Sequence, residues 1–153
     1  MLELADAILV VDDDPDSREM LVEYLQAKGL TVHAAPDGPA ALALADALRP
    51  RVILMDQAMP NIDGLETTRR LRANPSTHDA TILMVTARVF PADREAAYRA
   101  GCNFFVPKPY DAPMLAEFIE GLVRLSATQP QATGRLPLNV APQSLTPSPR
   151  STT

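Results

Sequence analysis

The sequence predicts an α/β fold: five short strands alternate with five helices, (βα)5, in one parallel, doubly wound sheet. Three observations carry this. Four runs are apolar at every position: Ile8-Leu9-Val10-Val11, Val52-Ile53-Leu54-Met55, Ile82-Leu83-Met84-Val85 and Phe104-Phe105-Val106. They are too short for helices, and apolarity throughout marks strands covered on both faces. Stretches of helical length lie between them, and such alternation implies parallel strands joined by right-handed crossovers.

Each element has its own signal. The strand at Ile8–Val11 leads to Asp14-Pro15, an N-cap followed by proline at the first helical turn. Met20, Leu21, Tyr24 and Leu25 form the expected apolar face of that first helix. Gly29 after Lys28 ends it. Leu30-Thr31-Val32-His33-Ala34 alternates, which suits an edge strand. Further helices are expected over about 39–48, 64–73, 92–100 and 113–125, with Gly101 at the end of the fourth.

Composition narrows the function. The chain has 153 residues, about one domain's length. Its net charge is −5, which argues against a nucleic-acid groove. A single Cys excludes a disulfide framework and a cysteine zinc site. His33 and His78 are far apart and leave little for a histidine metal centre. No apolar run approaches the roughly 18–20 residues of a membrane span, and no basic leader precedes the first strand. A soluble protein of a reducing, bacterial-type cytoplasm is expected. Residues 127–153 hold five Pro and eight Ser or Thr but no Asp or Glu. That stretch reads as a disordered tail or linker, and 5–126 as the folded domain. Residues 1–120 carry 11 Lys and Arg against 19 Asp and Glu, a charge of −8.

In such sheets, ligands bind beyond the carboxyl ends of the strands. Asp12, Asp13 and Asp14 follow the first strand, Asp56 the third and Thr86 the fourth. Lys108 follows the fifth, flanked by Pro107 and Pro109. Carboxylates, a hydroxyl and an ammonium therefore collect at one edge. Clustered carboxylates either raise a pKa or hold a cation. An all-oxygen set of this size suits Mg²⁺. A carboxylate beside such an ion can act as a nucleophile toward phosphorus, with Thr86 and Lys108 serving the phosphoryl oxygens. Phosphate-cradling glycine motifs are absent.

The residues VVDD at 10–13, DQAMPNIDG at 56–64, VTA at 85–87 and PKP at 107–109 resemble, in order and spacing, the receiver domain of two-component response regulators. The spacings are 30 residues from Asp56 to Thr86 and 22 from Thr86 to Lys108. The resemblance covers about 8–125 and is to the stand-alone type typified by the chemotaxis response regulator. It implies a flavodoxin-like sheet with strand order 2-1-3-4-5. It implies that Asp56 is the phosphoacceptor. Asp12, Asp13, Asp56 and the Ala58 backbone carbonyl would hold Mg²⁺, Thr86 would be the switch hydroxyl, and Lys108 would pair with the phosphoryl group before a cis proline. Phe105 takes the aromatic switch position, turning inward when Asp56 is phosphorylated. The implied donor is a histidine kinase or histidine phosphotransfer protein. The implied output is a protein target at the fourth helix, fifth strand and fifth helix, with a phosphorylation-linked homodimer as an option.

Other residues have plainer readings. Asp14 is an N-cap, Met59-Pro60 and Asp63-Gly64 shape a loop, and Gly64 allows a turn that other residues resist. Cys102 is a small buried filler. His33 and His78 are surface or loop residues. Arg69, Arg70 and Arg72 form a solvated face. The resemblance implies that Ala58 and Arg88 border the phosphoryl group and tune hydrolysis, and the plainer reading of both is solvent exposure. Three alternatives stand beside the switch: a phosphorelay shuttle or phosphate sink, a receiver cut from a larger kinase or regulator, and an aspartate-nucleophile phosphatase. The last would have a second Asp two residues after Asp56, where this chain has Ala58. No turnover of external substrates is therefore expected, only self-phosphorylation and self-dephosphorylation.

Overall fold

A computed structural model of the chain describes residues 7–128 and 146–147. The elements run β1 (Ile8–Val11), α1 (Pro15–Ala27), β2 (Val32–Ala35), α2 (Gly38–Leu48), β3 (Val52–Asp56) and α3 (Gly64–Ala73). They continue with β4 (Thr81–Thr86), α4 (Pro91–Ala100), β5 (Phe104–Pro107), α5 (Ala112–Thr128) and β6 (Thr146–Pro147). The five strands β1 to β5 are parallel, in the order 2-1-3-4-5. The weakly patterned β2 is the edge strand, as its alternation predicts.

Strand periodicity divides the core into two layers. Ile8, Val10, Val52, Leu54, Leu83, Val85, Phe104 and Val106 face α1 and α5, where they meet Leu21, Leu25, Leu115, Ile119 and Leu122. The alternate residues Leu9, Val11, Ile53, Met55, Ile82, Met84 and Phe105 face α2, α3 and α4, where they meet Ala41, Ala45, Leu71 and Ala97. Burying a side chain such as Ile53, Leu83 or Ile119 in full contributes about 1.5–3 kcal/mol.

Helix starts follow local chemistry. Asp14 caps α1 by accepting from the Ser17 N–H and hydroxyl. Asp37 caps α2 and Asp63 caps α3 in the same way, accepting from Ala40 N and Glu66 N. Asp111 accepts from Met114 N at the start of α5. Gly101 ends α4 at φ +117°, a conformation that favours glycine.

Several expectations change. Leu21 and Leu25 are buried on α1, but Met20 and Tyr24 are exposed. Each lies one residue, about 100° of helix, round from a buried leucine and off the sheet-facing stripe. Helix α5 runs to Thr128, two residues past the expected domain end at 126. Residues 146 and 147, expected within a disordered tail, pair antiparallel with β5, Thr146 opposite Phe105 and Pro147 opposite Phe104. The remainder of that tail and the expected start at residue 5 lie outside the described residues.

His33 is a half-buried residue of β2, opposite Leu9, rather than a loop residue, whereas His78 is exposed. Arg72 is not on a solvated face. Its guanidinium donates to the carbonyls of Gly101, His78 and Ala80 and to Asn103 Oδ1, at 2.6–2.8 Å. Arg69 and Arg70 do stand in solvent, both paired with Glu66. Cys102 is buried, and burial pushes its thiol up to about 12, consistent with a filler.

Candidate functional site

The polar edge is built by the ends of four strands. Asp12 follows β1, Asp56 closes β3, Thr86 closes β4 and Lys108 follows β5. Asp56 lies opposite Val85, and Thr86 opposite Pro107. The two residues thus stand on adjacent strands at successive levels. Parallel strands bring together side chains far apart in sequence, which is why this edge gathers them.

Asp56 is 4% exposed and Asp12 is 7% exposed, while Asp13 stands open to solvent. One carboxylate oxygen from each of the three lies within 4.8 Å of the others. This all-oxygen cluster could hold a hard divalent cation that keeps some of its water. The Lys108 Nζ lies 3.0 Å from Asp56 Oδ1, and the Lys108–Pro109 peptide is cis.

Charge sets the proton affinities here. Burial pushes the Asp56 carboxyl up to about 6, reinforced by Asp12 and opposed by the Lys108 hydrogen bond. Burial also raises Asp12, against the pull of the Asp14 N–H that donates to its Oδ1 at 2.9 Å. Burial works against the Lys108 ammonium, but its bond to Asp56 and the surrounding acids more than offset this and raise its pKa. Two buried carboxylates beside one ammonium leave the cluster short of positive charge.

Thr86 is buried, and its Oγ1 accepts from the Arg88 N–H at 2.9 Å. Phe105 is wholly buried. The resemblance ties that inward position to phosphorylation of Asp56, yet here the ring is inward while Asp56 is held by Lys108. Ala58 lies in the loop after β3, and Arg88 is exposed in the loop after β4. Asp12, Asp13, Asp56, Ala58, Thr86 and Lys108 therefore fall at or beside this one edge, while Phe105 lies further back on β5, opposite Met84.

The family model described as "response regulator receiver domain" matches residues 8–120. The chain belongs to this family. The receiver is 38% identical over 113 residues to an uncharacterised 14.6 kDa protein of Leptolyngbya boryana, covering 74% of this chain and 86% of that one. It is 36% identical over 146 residues to the response regulator MprA of Mycolicibacterium vanbaalenii, covering 95% of this chain and 62% of that protein. The receiver thus spans only about three fifths of that regulator's length. Among solved structures it is similar to the chemotaxis protein CheY4 of Vibrio cholerae. There the identity is 30% and the TM-score 0.71, covering 76% of this chain and 97% of that one. Phosphorylation-dependent signalling in two-component systems is the function of this family, which is a switch rather than a turnover enzyme. Among the described residues, no helix is long and apolar enough to cross a membrane.

Sequence reasoning missed two contributors to the receiver's site. The Arg18 guanidinium donates to the Asp12 carbonyl at 2.8 Å and ties α1 to the acidic loop. Its position one turn into a helix that starts beside the acids was the available signal. Tyr110 packs on the core beside the acids, and its hydroxyl is pushed up to about 12 by burial and by Asp12 and Asp56. Gly64 also has a different role from the one expected. A Cβ there would lie 2.5 Å from the Asp56 carbonyl oxygen and 2.8 Å from Gln57 Cα. The glycine lets the start of α3 close on the backbone of Asp56, where the Gly64 N–H bonds the Gln57 carbonyl.

Proposed function

We propose that this receiver accepts a phosphoryl group on Asp56 from the phosphohistidine of a histidine kinase or histidine phosphotransfer protein, and signals by protein contact. The observation that carries this reading is the buried Asp56 carboxylate, bonded to Lys108 and clustered with Asp12 and Asp13. An Asp56 oxygen attacks phosphorus and the P–N bond breaks. Its electron pair returns to the imidazole nitrogen, which takes a proton from water. Asp56 must be ionised to attack, and both the Lys108 ammonium and the cation that the cluster would hold favour that form.

Lys108, already at Asp56 Oδ1, is placed to follow charge onto a phosphoryl oxygen. Thr86 accepts a backbone hydrogen bond and keeps its own proton to donate. Asp12, Asp13, Asp56 and the Ala58 carbonyl are the groups that would hold Mg²⁺, which supplies positive charge against the phosphoryl oxygens. Arg88 and Ala58 border the group and tune its hydrolysis. Exposed Val89 and Phe90 before α4, and Met114 on α5, offer apolar surface on the α4–β5–α5 side for a downstream target.

The test is incubation with acetyl phosphate and Mg²⁺, read by intact mass, for the wild type and Asp56→Asn. A phosphoryl adduct that needs Mg²⁺ and is absent from the variant is expected. An adduct of equal yield in Asp56→Asn sinks the assignment. The decay rate of the adduct separates a lasting switch from a rapid relay.

A further inference from the structure

We infer that Arg94 is a positioning residue for the aromatic switch: its guanidinium, lying over the Phe105 ring, holds that ring inward and thereby favours phosphorylation of Asp56. The second half of this statement rests on the function proposed above; the first does not.

The guanidinium carbon of Arg94 stands 5.2 Å from the centroid of the Phe105 ring. That is within the roughly 6 Å over which a cation is attracted to an aromatic face. The ring itself is wholly buried. Tyr98, one turn further along α4, closes on it with centroids 6.4 Å apart and planes tilted by 56°. Phe105 is thus covered by two side chains of one helix.

Among the described residues no carboxylate pairs with Arg94. Glu95 is taken by Arg99, and Asp93 accepts from the Phe90 N–H. The half-buried Arg94 instead lies against the ring, beside the open groove lined by Val89, Pro91, Glu95 and Tyr98. Outward movement of Phe105 breaks its contact with Arg94.

The ring communicates with the site through the sheet. Phe105 on β5 pairs with Met84 on β4, two residues before Thr86, and it lies three before Lys108. A group that favours one of two ring positions shifts their populations by its differential interaction, and any phosphorylation coupled to that position shifts equally. Arginine is specific here, because its flat, weakly hydrated guanidinium stacks on a ring as a lysine ammonium does not.

The experiment uses the full chain with ring-¹³C-labelled phenylalanine, the Phe105 signals being assigned through Phe105→Leu. Arg94→Met keeps an apolar stem and removes the cation. Arg99→Met removes an equal charge from the same helix without touching the ring. Expected in Arg94→Met are Phe105 signals shifted toward those of an exposed ring, with acetyl phosphate labelling of Asp56 slowed three- to tenfold. Arg94→Lys should fall between it and the wild type, and Arg99→Met should match the wild type in both readouts. Unchanged Phe105 signals in Arg94→Met overturn the inference, as does an equal slowing in Arg99→Met. Should Arg94→Met fail to fold, Arg94→Lys decides by the same signals. If the wild type takes no phosphoryl group from any donor, the proposed function fails, while the ring signals still judge the positioning role of Arg94.

Discussion

Lys108 reaches past the end of β4 to place its Nζ 3.0 Å from Oδ1 of Asp56 on β3. This contact spans a strand that belongs to neither residue. It fixes one oxygen of a carboxylate that burial and Asp12 would otherwise drive toward its neutral form. The site is therefore a balance: one ammonium holds an acid whose surroundings oppose its charge. A site balanced in this way responds strongly to any added positive charge or any removed negative one.

The first expectation concerns stability in metal-free buffer. The folded-state pKa of Asp56 is raised to about 6 from 3.8. A raised carboxyl stabilises the fold below the unfolded pKa, and that contribution is lost as pH climbs through the folded value. Asp56→Asn removes the loss. Urea unfolding with EDTA at pH 7.5 should show the variant more stable, by up to about 3 kcal/mol for a shift of this size. The advantage should shrink toward zero near pH 4. A variant less stable than the wild type at pH 7.5 would contradict the charge balance described here.

Mg²⁺ should act on the same balance. A cation that binds the folded cluster and not the unfolded chain raises stability by mass action, about 2.7 kcal/mol at a hundredfold excess over its dissociation constant. The melting temperature should therefore rise with Mg²⁺ in the wild type. Asp12→Asn should weaken that rise, because Asp12 is one of the three clustered carboxylates. Lys108→Met should strengthen it, because a competing positive charge is gone. Thermal melts across a Mg²⁺ series measure all three.

Much of this was readable from sequence, for a physical reason. Strand ends announce themselves when an apolar run stops at a charge, and parallel topology then places Asp12, Asp56, Thr86 and Lys108 at one edge. Helix α3 keeps its expected bounds, 64–73, because the Asp63 cap and Gly64 are local signals. What stayed hidden depends on partners that a sequence does not display. Arg72 looked solvated because its acceptors are mostly backbone carbonyls. Met20 and Tyr24 looked buried because helical phase alone cannot say which side of a broad apolar stripe meets the sheet. The contact of Arg94 with the Phe105 ring joins residues eleven apart on two different elements.

Gly64 gives a prediction that separates the site from the fold. An added Cβ meets backbone atoms of Asp56 and Gln57, which cannot swing aside as a flexible side chain could. Gly64→Ala should cost about 1–3 kcal/mol through overpacking. It should also displace the Asp56 backbone and slow acetyl phosphate labelling at least tenfold. The slowing should persist at temperatures where circular dichroism shows the variant fully folded. Normal labelling in a folded Gly64→Ala protein would mean that the close approach does not position Asp56.

Arg72 makes the opposite case, a residue that holds the fold and not the site. Its four hydrogen bonds join α3 to the segments just before β4 and just before β5. Those segments lie at the far ends of the strands from Asp56. Asn103 Oδ1, one of its acceptors, also receives the Ile82 N–H at 2.8 Å, so the guanidinium anchors a residue that itself joins the two strand starts. Removing the side chain leaves several part-buried acceptors without their charged donor, and one such hydrogen bond contributes about 1.5–3 kcal/mol. Arg72→Ala should lower stability by about 3 kcal/mol in urea unfolding. Arg72→Lys should recover little of it, since one ammonium cannot serve acceptors spread around a planar fork. Labelling of Asp56 by acetyl phosphate should stay within about twofold of the wild type at low temperature. A variant that unfolds at the wild-type urea midpoint would show that solvent replaces those bonds without loss. A folded variant that no longer labels would mean that this end of the sheet is coupled to the phosphoryl site.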